Sequence, residues 1–309
     1  MWIIYVILII LAIYVIYQFV TSKPIQEEWL NCFVGGLGAG KTYLSVKLFV
    51  SSYKAKFKEY IKSCIRHPFN KKKRLPCPQA FSNIPVRLIE RKMSQVLTTE
   101  HIFMEKLLPQ KTDILFDELG QAADQYAYDV PAVKKNVQTF IRFLRQFTSG
   151  KMYSTEQSSD FIAKAIRGRF NTIIELRDLH RVFWILPFGK VYWRKILVTN
   201  DTQNINNLGA DEWNHYFFWM GYRKHYDSKP YSEAYEKGFT HEAPDHWDYK
   251  NLKTRYIIDV RKPCHRDIYG SVPYVSNEQP TPSPNSDEDE LTQDDQTLSA
   301  ASPLDAYFG

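Results

Sequence analysis

The stretch Trp29-Leu30-Asn31-Cys32-Phe33-Val34-Gly35-Gly36-Leu37-Gly38-Ala39-Gly40-Lys41-Thr42 decides the fold of this chain. It begins with apolar residues that predict a strand, passes through a glycine-rich turn, and continues into a helical pattern from Tyr43. The spacing from Gly35 to Thr42 matches G-x-x-x-x-G-K-[ST], a loop whose backbone amides surround a phosphate. Glycine suits this loop because it tolerates left-handed backbone and has no Cβ to keep the anion away. The helix that follows points its positive end at the same anion.

The residues of this loop predict a nucleotide as the ligand. Lys41 is expected to reach the β and γ phosphates, and Thr42 is expected to hold Mg²⁺. The alternative is an ordinary glycine turn before a lysine, but at a glycine usage of roughly 7% a chance match occurs in about one in a hundred chains of this length. The sequence therefore predicts ATP and Mg²⁺ as ligands, with the nucleotide contacted by Gly35, Gly36, Leu37, Gly38, Ala39, Gly40, Lys41 and Thr42.

A second chemical element is the stretch Thr112-Asp113-Ile114-Leu115-Phe116-Asp117-Glu118. Its three successive apolar residues suit a strand that is buried on both faces of a parallel sheet. Since ligands gather at the carboxyl ends of such strands, the two terminal carboxylates are expected beside the glycine-rich loop. Asp117 is the expected second Mg²⁺ residue, acting through water. Glu118 is the expected general base that polarises the attacking water. Apolar runs that end in Asp-Glu are common, so this prediction depends on the loop upstream.

The chain starts with an apolar run from Trp2 to Val20, interrupted only by Gln18. About 19 residues at 1.5 Å each can cross a bilayer core near 30 Å thick. The alternatives are a buried helix or a signal peptide, which would need a basic segment before the run and small residues at its end. No basic segment precedes the run and bulky residues fill its end, which predicts an uncleaved single-pass anchor in the inner (cytoplasmic) membrane of a host cell. Lysines and arginines begin at Lys23, and the positive-inside rule then predicts the orientation of this anchor. Its amino terminus would lie outside and the remainder of the chain in the cytoplasm.

Charge is distributed unevenly along the 309 residues. The net charge is +6, yet eight acidic and no basic residues follow Asn277, so the preceding residues carry +14. A basic body suits nucleic acid or an anionic membrane leaflet, but it is also common without either role. The basic segment 66–74 is either a solvated loop or a contact for DNA or lipid phosphates. The four cysteines have no metal-binding spacing, which fits a reducing compartment.

Candidate sensors and arginine fingers follow the second element. Apolar residues between 133 and 147 predict one face of a helix, and a strand is expected over 151–157. Gln157, at the end of that strand, would sense the γ-phosphate or orient water. The arginines that could contact the γ-phosphate of a neighbouring subunit are Arg142, Arg145, Arg167 and Arg169, with Arg145 assigned as catalytic. For Arg142 and Arg145 a solvated basic face is the simpler alternative, and Arg167 and Arg169 could instead make subunit contacts.

The character of the sequence changes after Arg181. Alternating apolar residues, interrupted at Pro187-Phe188-Gly189, predict a hairpin with its turn at these three residues. Residues 213–226 and 247–256 are rich in aromatics, which form either core and interface or a platform that stacks bases. The predicted organisation is a transmembrane anchor at 1–22, an ATPase domain at 23–200, an aromatic-rich extension at 201–275 and a disordered acidic tail at 276–309.

The order of these motifs resembles the zonular occludens toxin (Zot)-like family, which includes the assembly ATPase of filamentous phages. The features that carry the resemblance, over about residues 30–200, are the glycine-rich loop, Phe81-Ser82-Asn83-Ile84-Pro85, Phe116-Asp117-Glu118, an arginine-bearing helix, a strand ending in Gln157, and Arg177-Asp178-Leu179 with Trp184. The resemblance implies a P-loop ATPase of the FtsK/HerA type that couples ATP hydrolysis to extrusion of single-stranded DNA virions. In the phage proteins the membrane helix usually follows the ATPase domain, whereas here the apolar run comes first.

Together these observations predict an α/β P-loop NTPase fold with a mostly parallel central sheet. One N-terminal transmembrane helix would precede it, and an aromatic-rich extension and a disordered acidic tail would follow. The predicted function is a membrane-anchored ATPase, assembled as a homo-oligomeric ring, that extrudes filamentous virions and has phage DNA or virion coat and assembly proteins as partners. Two alternatives remain open: a DNA translocase for packaging or conjugation, and a non-catalytic membrane scaffold that binds nucleotide.

Overall fold

The computed structural model describes residues 2–258 except 91, 121–136, 143, 145–147, 163, 171, 183–187, 197–212, 228–238, 241 and 257. The helices of this part are α1 (Trp2–Thr21), α2 (Lys41–Arg66), α3 (Thr99–Ile102) and α4 (Lys164–Arg167), with further helical backbone at 137–142. The strands are β1 (Leu30–Val34), β2 (Ala80–Ser82), β3 (Arg87–Ile89), β4 (Lys92–Met93), β5 (Gln95–Val96), β6 (Asp113–Phe116), β7 (Met152–Glu156), β8 (Thr172–Val182), β9 (Phe188–Ile196), β10 (Asn214–Trp219), β11 (Phe239–Thr240) and β12 (Arg255–Tyr256).

An eight-stranded sheet organises these elements, in the order β10-β9-β8-β1-β7-β6-β2-β5. All pairings from β8 to β5 are parallel, whereas β9 pairs antiparallel with both β8 and β10. The predicted α/β fold with a mostly parallel central sheet is therefore confirmed. Because β1, β6 and β7 run in one direction, their carboxyl ends meet at one edge of the sheet, which is where parallel sheets hold ligands.

Two apolar cores cover the two faces of the sheet. All five residues of β1 are buried, and alternate side chains point to opposite faces, so Cys32 joins one core while Phe33 joins the other, together with α2. Burial raises the pKa of the Cys32 thiol to about 12, so this cysteine acts as a small apolar residue. The apolar helical face predicted after residue 133 is buried at its described positions, which are Val137, Phe140, Ile141 and Leu144.

The hairpin after Arg181 forms, but the predicted position of its turn is wrong. Phe188 and Gly189 do not turn; they lie in β9, where they pair with Val182 and Arg181 of β8. β8 runs from the core into the hairpin as one strand, with a register shift between Arg177 and His180. β10 pairs with β9, so the sheet continues past the boundary expected at residue 200. The acidic tail lies outside the described residues.

In the described part of the chain, α1 is the one helix long and apolar enough to cross a membrane. The two residues directly after α1 are hydrogen-bonded to β10. Lys23 N donates to the His215 carbonyl oxygen at 2.9 Å, and Phe217 N donates to Ser22 Oγ at 2.8 Å. The Phe19 ring lies edge-on to Phe217, with 4.8 Å between centroids. The helix therefore leaves the sheet from a defined position.

A buried carboxylate ties α2 to the sheet. Asp113, the first residue of β6, has a fully buried side chain that accepts hydrogen bonds from Ser52 Oγ at 2.9 Å, Lys56 Nζ at 2.5 Å and Lys151 N at 2.8 Å. Ser52 and Lys56 are four residues apart and so share one face of α2. One side chain thus joins the helix that follows the glycine-rich loop to β6 and to the start of β7.

We predict that Asp113→Ala lowers the free energy of unfolding by about 3 kcal/mol, because it leaves three partly buried donors, one of them charged, without their acceptor. The control is Arg177→Ala, which removes an ion pair with Asp178 whose side chains are 67% and 55% exposed. That loss is expected to be at most about 1 kcal/mol. Urea unfolding of the full chain in detergent micelles measures both. Equal losses in the two variants would contradict the role given to Asp113.

Candidate nucleotide-binding site

The loop between β1 and α2 adopts the backbone that the glycine spacing predicts. Gly35, Gly38 and Gly40 have φ values of +150°, +78° and +86°, which side chains strongly disfavour. Gly40 is the N-cap of α2 and has no side-chain hydrogen bond to the first turn. The first amides of α2 are therefore not capped by that residue, and the positive end of a 26-residue helix faces the loop.

The strands on either side of β1 hold this loop closely. Gly35 N donates to the carbonyl oxygen of Gln157, just beyond β7, at 3.2 Å. On the other side, a Cβ on Gly35 would collide with the carbonyl oxygen of Leu176 in β8, and a Cβ on Gly40 would lie 2.7 Å from Leu179 Cδ2. Glycine is thus required at both positions by close packing as well as by backbone angle.

Lys41 is folded back over the loop. Its Nζ donates to the carbonyl oxygens of Gly35 at 2.7 Å and Gly36 at 2.9 Å. Partial burial lowers the pKa of this ammonium group, and three nearby carboxylates oppose the shift: Asp117, Glu156 and Glu118. The ammonium group is therefore held at the mouth of the loop by neutral acceptors, which an anionic phosphate can outcompete because hydrogen bonds to charged acceptors are stronger.

Asp117 joins the two predicted motifs. Thr42 Oγ1 donates to Asp117 Oδ1 at 2.9 Å, and Thr155 Oγ1 donates to the same oxygen at 2.7 Å. β7 lies between β1 and β6 in the sheet, so Thr155 bridges the gap that separates the loop from the end of β6. The structure thus brings Thr42 and Asp117 into direct contact, 75 residues apart in sequence.

The backbone of Asp117 is held by an amide side chain that follows β2. Asn83 Oδ1 accepts from Asp117 N, and Asn83 Nδ2 donates to Asp117 O, both at 2.8 Å. Asn83 is only 3% exposed. Sequence reasoning used Asn83 only for the family resemblance and missed this positioning role. The available signal was a polar residue directly after a short apolar strand that could neighbour the Asp117 strand.

Glu118 occupies a strained position next to the junction. Its φ is +58°, a left-handed conformation that costs a non-glycine residue about 1–2 kcal/mol. Its backbone N donates to Thr155 Oγ1 at 3.0 Å, which helps to hold this conformation. The sharp turn leaves the Glu118 side chain partly exposed, and its charge acts on both Lys41 and Glu156.

Glu156 is a third carboxylate of the site, beside Asp117 and Glu118, and sequence reasoning did not single it out. It pairs with Val34 in the β1–β7 register, directly before the loop. Burial raises the pKa of its carboxyl group, although hydrogen bonds from the Gln157 and Gly120 amides oppose that shift. β7 ends at Glu156 rather than at Gln157. The strand therefore ends one residue before Gln157, the residue that sequence reasoning assigned to the site.

The other predicted site residues are Gln157 and the candidate arginine fingers. Gln157 is exposed beyond β7, and its carbonyl oxygen contacts the loop. Arg145 lies outside the described residues. Arg167 does not fit the role of a finger, because its guanidinium is buried and donates to Asp160 Oδ1 of the same chain at 2.9 Å. Arg142 and Arg169 are exposed.

The oxygen atoms at the Thr42–Asp117 junction suit Mg²⁺. In the part of the chain that the structure describes, no three His, Cys, Asp or Glu side chains form a dedicated metal site. Mg²⁺ does not require one, because it usually binds through one or two protein oxygens together with water and phosphate oxygens. The Thr42 hydroxyl and the Asp117 carboxylate supply two such oxygens, 2.9 Å apart.

Several solved structures are similar to this chain, and two of them are described here. No protein-family model matches the sequence, and a search of curated proteins finds no match. The N-terminal domain of zonular occludens toxin from Neisseria meningitidis matches with 10% identity and a TM-score of 0.34, over 64% of this chain and 97% of that one. The genome packaging NTPase B204 from Sulfolobus turreted icosahedral virus 2, in complex with ATP-gammaS, matches with 11% identity and a TM-score of 0.31, over 54% and 93%. At these TM-scores the likeness carries no argument about function, which is inferred from the geometry of the site itself.

We predict that Gly35→Ala destabilises the fold while Gly36→Ala does not. A methyl group at Gly35 would collide with Leu176 and would occupy a backbone region that costs about 1–3 kcal/mol. At Gly36 the same methyl group meets nothing within 4 Å. Thermal unfolding of the full chain in micelles, without nucleotide, compares the two variants. Equal melting temperatures would show that the loop is not packed as described.

Proposed function

We propose that the protein is a membrane-anchored P-loop ATPase that uses hydrolysis to move a viral cargo. The observation that supports this best is the contact of Thr42 with Asp117. It joins a phosphate-binding loop to a buried carboxylate at the carboxyl edge of a parallel sheet. An ordinary glycine turn before a lysine needs no such partner, whereas a Mg·nucleotide site needs both groups within reach of one metal ion.

Each residue of the site has a distinct task in this proposal. The amides from Gly35 to Thr42 and the Lys41 ammonium group bind the triphosphate and offset its charge. Bound Mg²⁺, held by Thr42 and by Asp117 through water, neutralises charge on the phosphates. Glu118 orients a water molecule for in-line attack on the γ-phosphate and accepts its proton. Gln157, or an arginine of a neighbouring subunit such as Arg145, completes the site in a ring.

The cargo is proposed from the family resemblance and from charge. A filamentous single-stranded DNA virion, extruded through the inner membrane, fits an ATPase whose basic body lies on the cytoplasmic side of α1. DNA translocation for packaging or conjugation is the second candidate, favoured by the exposed lysines of the 3₁₀ turn Lys71–Lys73. Contacts with DNA phosphates would make binding fall steeply with salt concentration.

We predict that Lys41→Ala and Glu118→Gln each lower ATP turnover by about 100-fold or more, because each removes a group that acts on the reacting phosphate or water. The matched controls are Lys58→Ala and Glu59→Gln, which change exposed residues further along α2 and should leave turnover unchanged. The full chain, reconstituted in lipid vesicles, is assayed with Mg·ATP alone, with single-stranded DNA and with double-stranded DNA.

The outcomes separate the three functions. Stimulation by double-stranded DNA that declines steeply with salt would favour translocation over virion extrusion. Turnover that is absent in the wild type despite nucleotide binding would support the scaffold. Glu118→Gln that turns over ATP like the wild type would overturn the proposed base.

A further inference from the structure

The second half of α1 is packed against the protein. Along the helix the less exposed residues are Leu11, Tyr14, Val15 and Gln18, spaced as one helical stripe, whereas residues 2–10 are exposed throughout. Gln18, the polar interruption of the apolar run, is buried on this stripe. The polar Gln18 side chain therefore faces the protein together with this stripe, and the exposed apolar side chains of α1 face outward.

The length of α1 makes this packing informative. Residues 2–10 alone would extend only about 12 Å, far less than the ~30 Å of a bilayer core. If α1 spans the membrane, its packed half must lie in the bilayer or the headgroup layer as well. The sheet cannot easily separate from it, because Lys23 N is bonded to His215 O and Trp193 Nε1 donates to Lys23 O at 3.1 Å.

The surface that α1 contacts is the outer face of the β9–β10 hairpin. In the antiparallel register Phe188 lies opposite Trp219, and Lys190 lies opposite Phe217. These four side chains share one face, since they alternate with Gly189 and Phe218. The latter two lie on the opposite face, toward α2 and the core that contains it. Phe217 itself is buried, with the Phe19 ring of α1 packed against it. The accessible residues of the outer face, Phe188, Lys190 and Trp219, are together called the hairpin face.

The hairpin face runs alongside α1, from the carboxyl-terminal end of this helix toward its middle. Lys23 is level with His215, and Phe19 is level with Phe217, so moving back along α1 means moving forward along β10 toward Trp219. Phe188 contacts both Phe19 and Trp219, with centroids 5.7 Å and 5.2 Å apart. The aromatic end of the hairpin therefore lies deeper on the membrane side than the last residues of α1.

We propose that the hairpin face is a lipid-binding surface, seated at the boundary of headgroups and acyl chains beside α1. This rests on the membrane anchor of the proposed function. Trp219 is 54% exposed, and tryptophan is the residue that membrane interfaces favour. Lys190 lies one strand position back toward the cytoplasm, where its charge can pair with lipid phosphates. In sequence, the residues that join β8 to β9, Phe183-Trp184-Ile185-Leu186-Pro187, are uncharged.

A seated hairpin fixes the orientation of the ATPase sheet on the membrane. β9 pairs with β8, and Leu176 and Leu179 of β8 pack against the glycine-rich loop. The nucleotide site is thus held at a set distance from the lipid surface through two hydrogen-bonded strands. A single membrane helix on a flexible linker would not impose this orientation.

Quenching of tryptophan fluorescence by lipid tests this proposal. The full chain is reconstituted in phosphatidylcholine–phosphatidylglycerol vesicles, with lipids brominated near the headgroup end of the acyl chains. The emission of one residue is the difference between the wild type and its Trp→Phe variant. Trp219→Phe reports the hairpin face, Trp2→Phe reports α1, and Trp247→Phe is the control, because Trp247 is only 4% exposed and lies within the core that Cys32 joins.

We expect brominated lipid to remove most of the emission of Trp219 and of Trp2 and to leave that of Trp247 unchanged. Quenching of Trp2 without quenching of Trp219 would overturn the lipid-binding surface and leave the anchor in place. Quenching of neither would overturn both. ATP turnover on the same vesicles judges the ATPase separately, so an active enzyme with unquenched Trp219 contradicts only the inference about the hairpin face.

Discussion

One oxygen atom, Oδ1 of Asp117, holds the candidate site together. It accepts hydrogen bonds from Thr42 at the start of α2 and from Thr155 on β7, while Asn83 grips the backbone on both sides of the same residue. Three segments far apart in sequence therefore converge on one residue. Because Asp117 is nearly fully buried, its charge must be met by fixed partners, and these partners are the groups that a Mg·nucleotide would use or displace.

The electrostatics around this atom favour a polyanionic ligand with a cation. Asp117, Glu156 and Glu118 act on the pKa of Lys41, and Glu118 and Lys41 act on the pKa of Glu156, within the same small volume. Burial alone would weaken the charge of Lys41 and protonate Glu156 more easily. A triphosphate beside Lys41 would balance the charge of its ammonium group. A divalent cation beside Asp117 would balance the charge of the neighbouring carboxylates. The strained turn at Glu118 belongs to the same arrangement, since it directs a carboxylate away from the core and toward this volume.

The parts of the fold that were predictable are those encoded by local pattern. The Gly35–Thr42 spacing, the apolar strand before Asp117 and the apolar run of α1 each specify structure without distant partners. Features that depend on register were not predictable: the Asn83 grip on Asp117, and the bulge that carries β8 through Asp178. Glu156 was overlooked for the same reason, because only the β1–β7 pairing shows which residue of Thr155-Glu156-Gln157 borders the loop.

The most direct test of the central claim replaces Mg²⁺ with Mn²⁺ and follows its binding to the full chain by electron paramagnetic resonance, with and without ATP. If Thr42 and Asp117 form one metal–nucleotide site, bound Mn²⁺ appears only with ATP and shows coupling to phosphorus. Its affinity should then fall by about tenfold or more in Thr42→Val and in Asp117→Asn. Mn²⁺ that binds as tightly without ATP as with it would contradict the account. So would Mn²⁺ that binds both variants as tightly as the wild type.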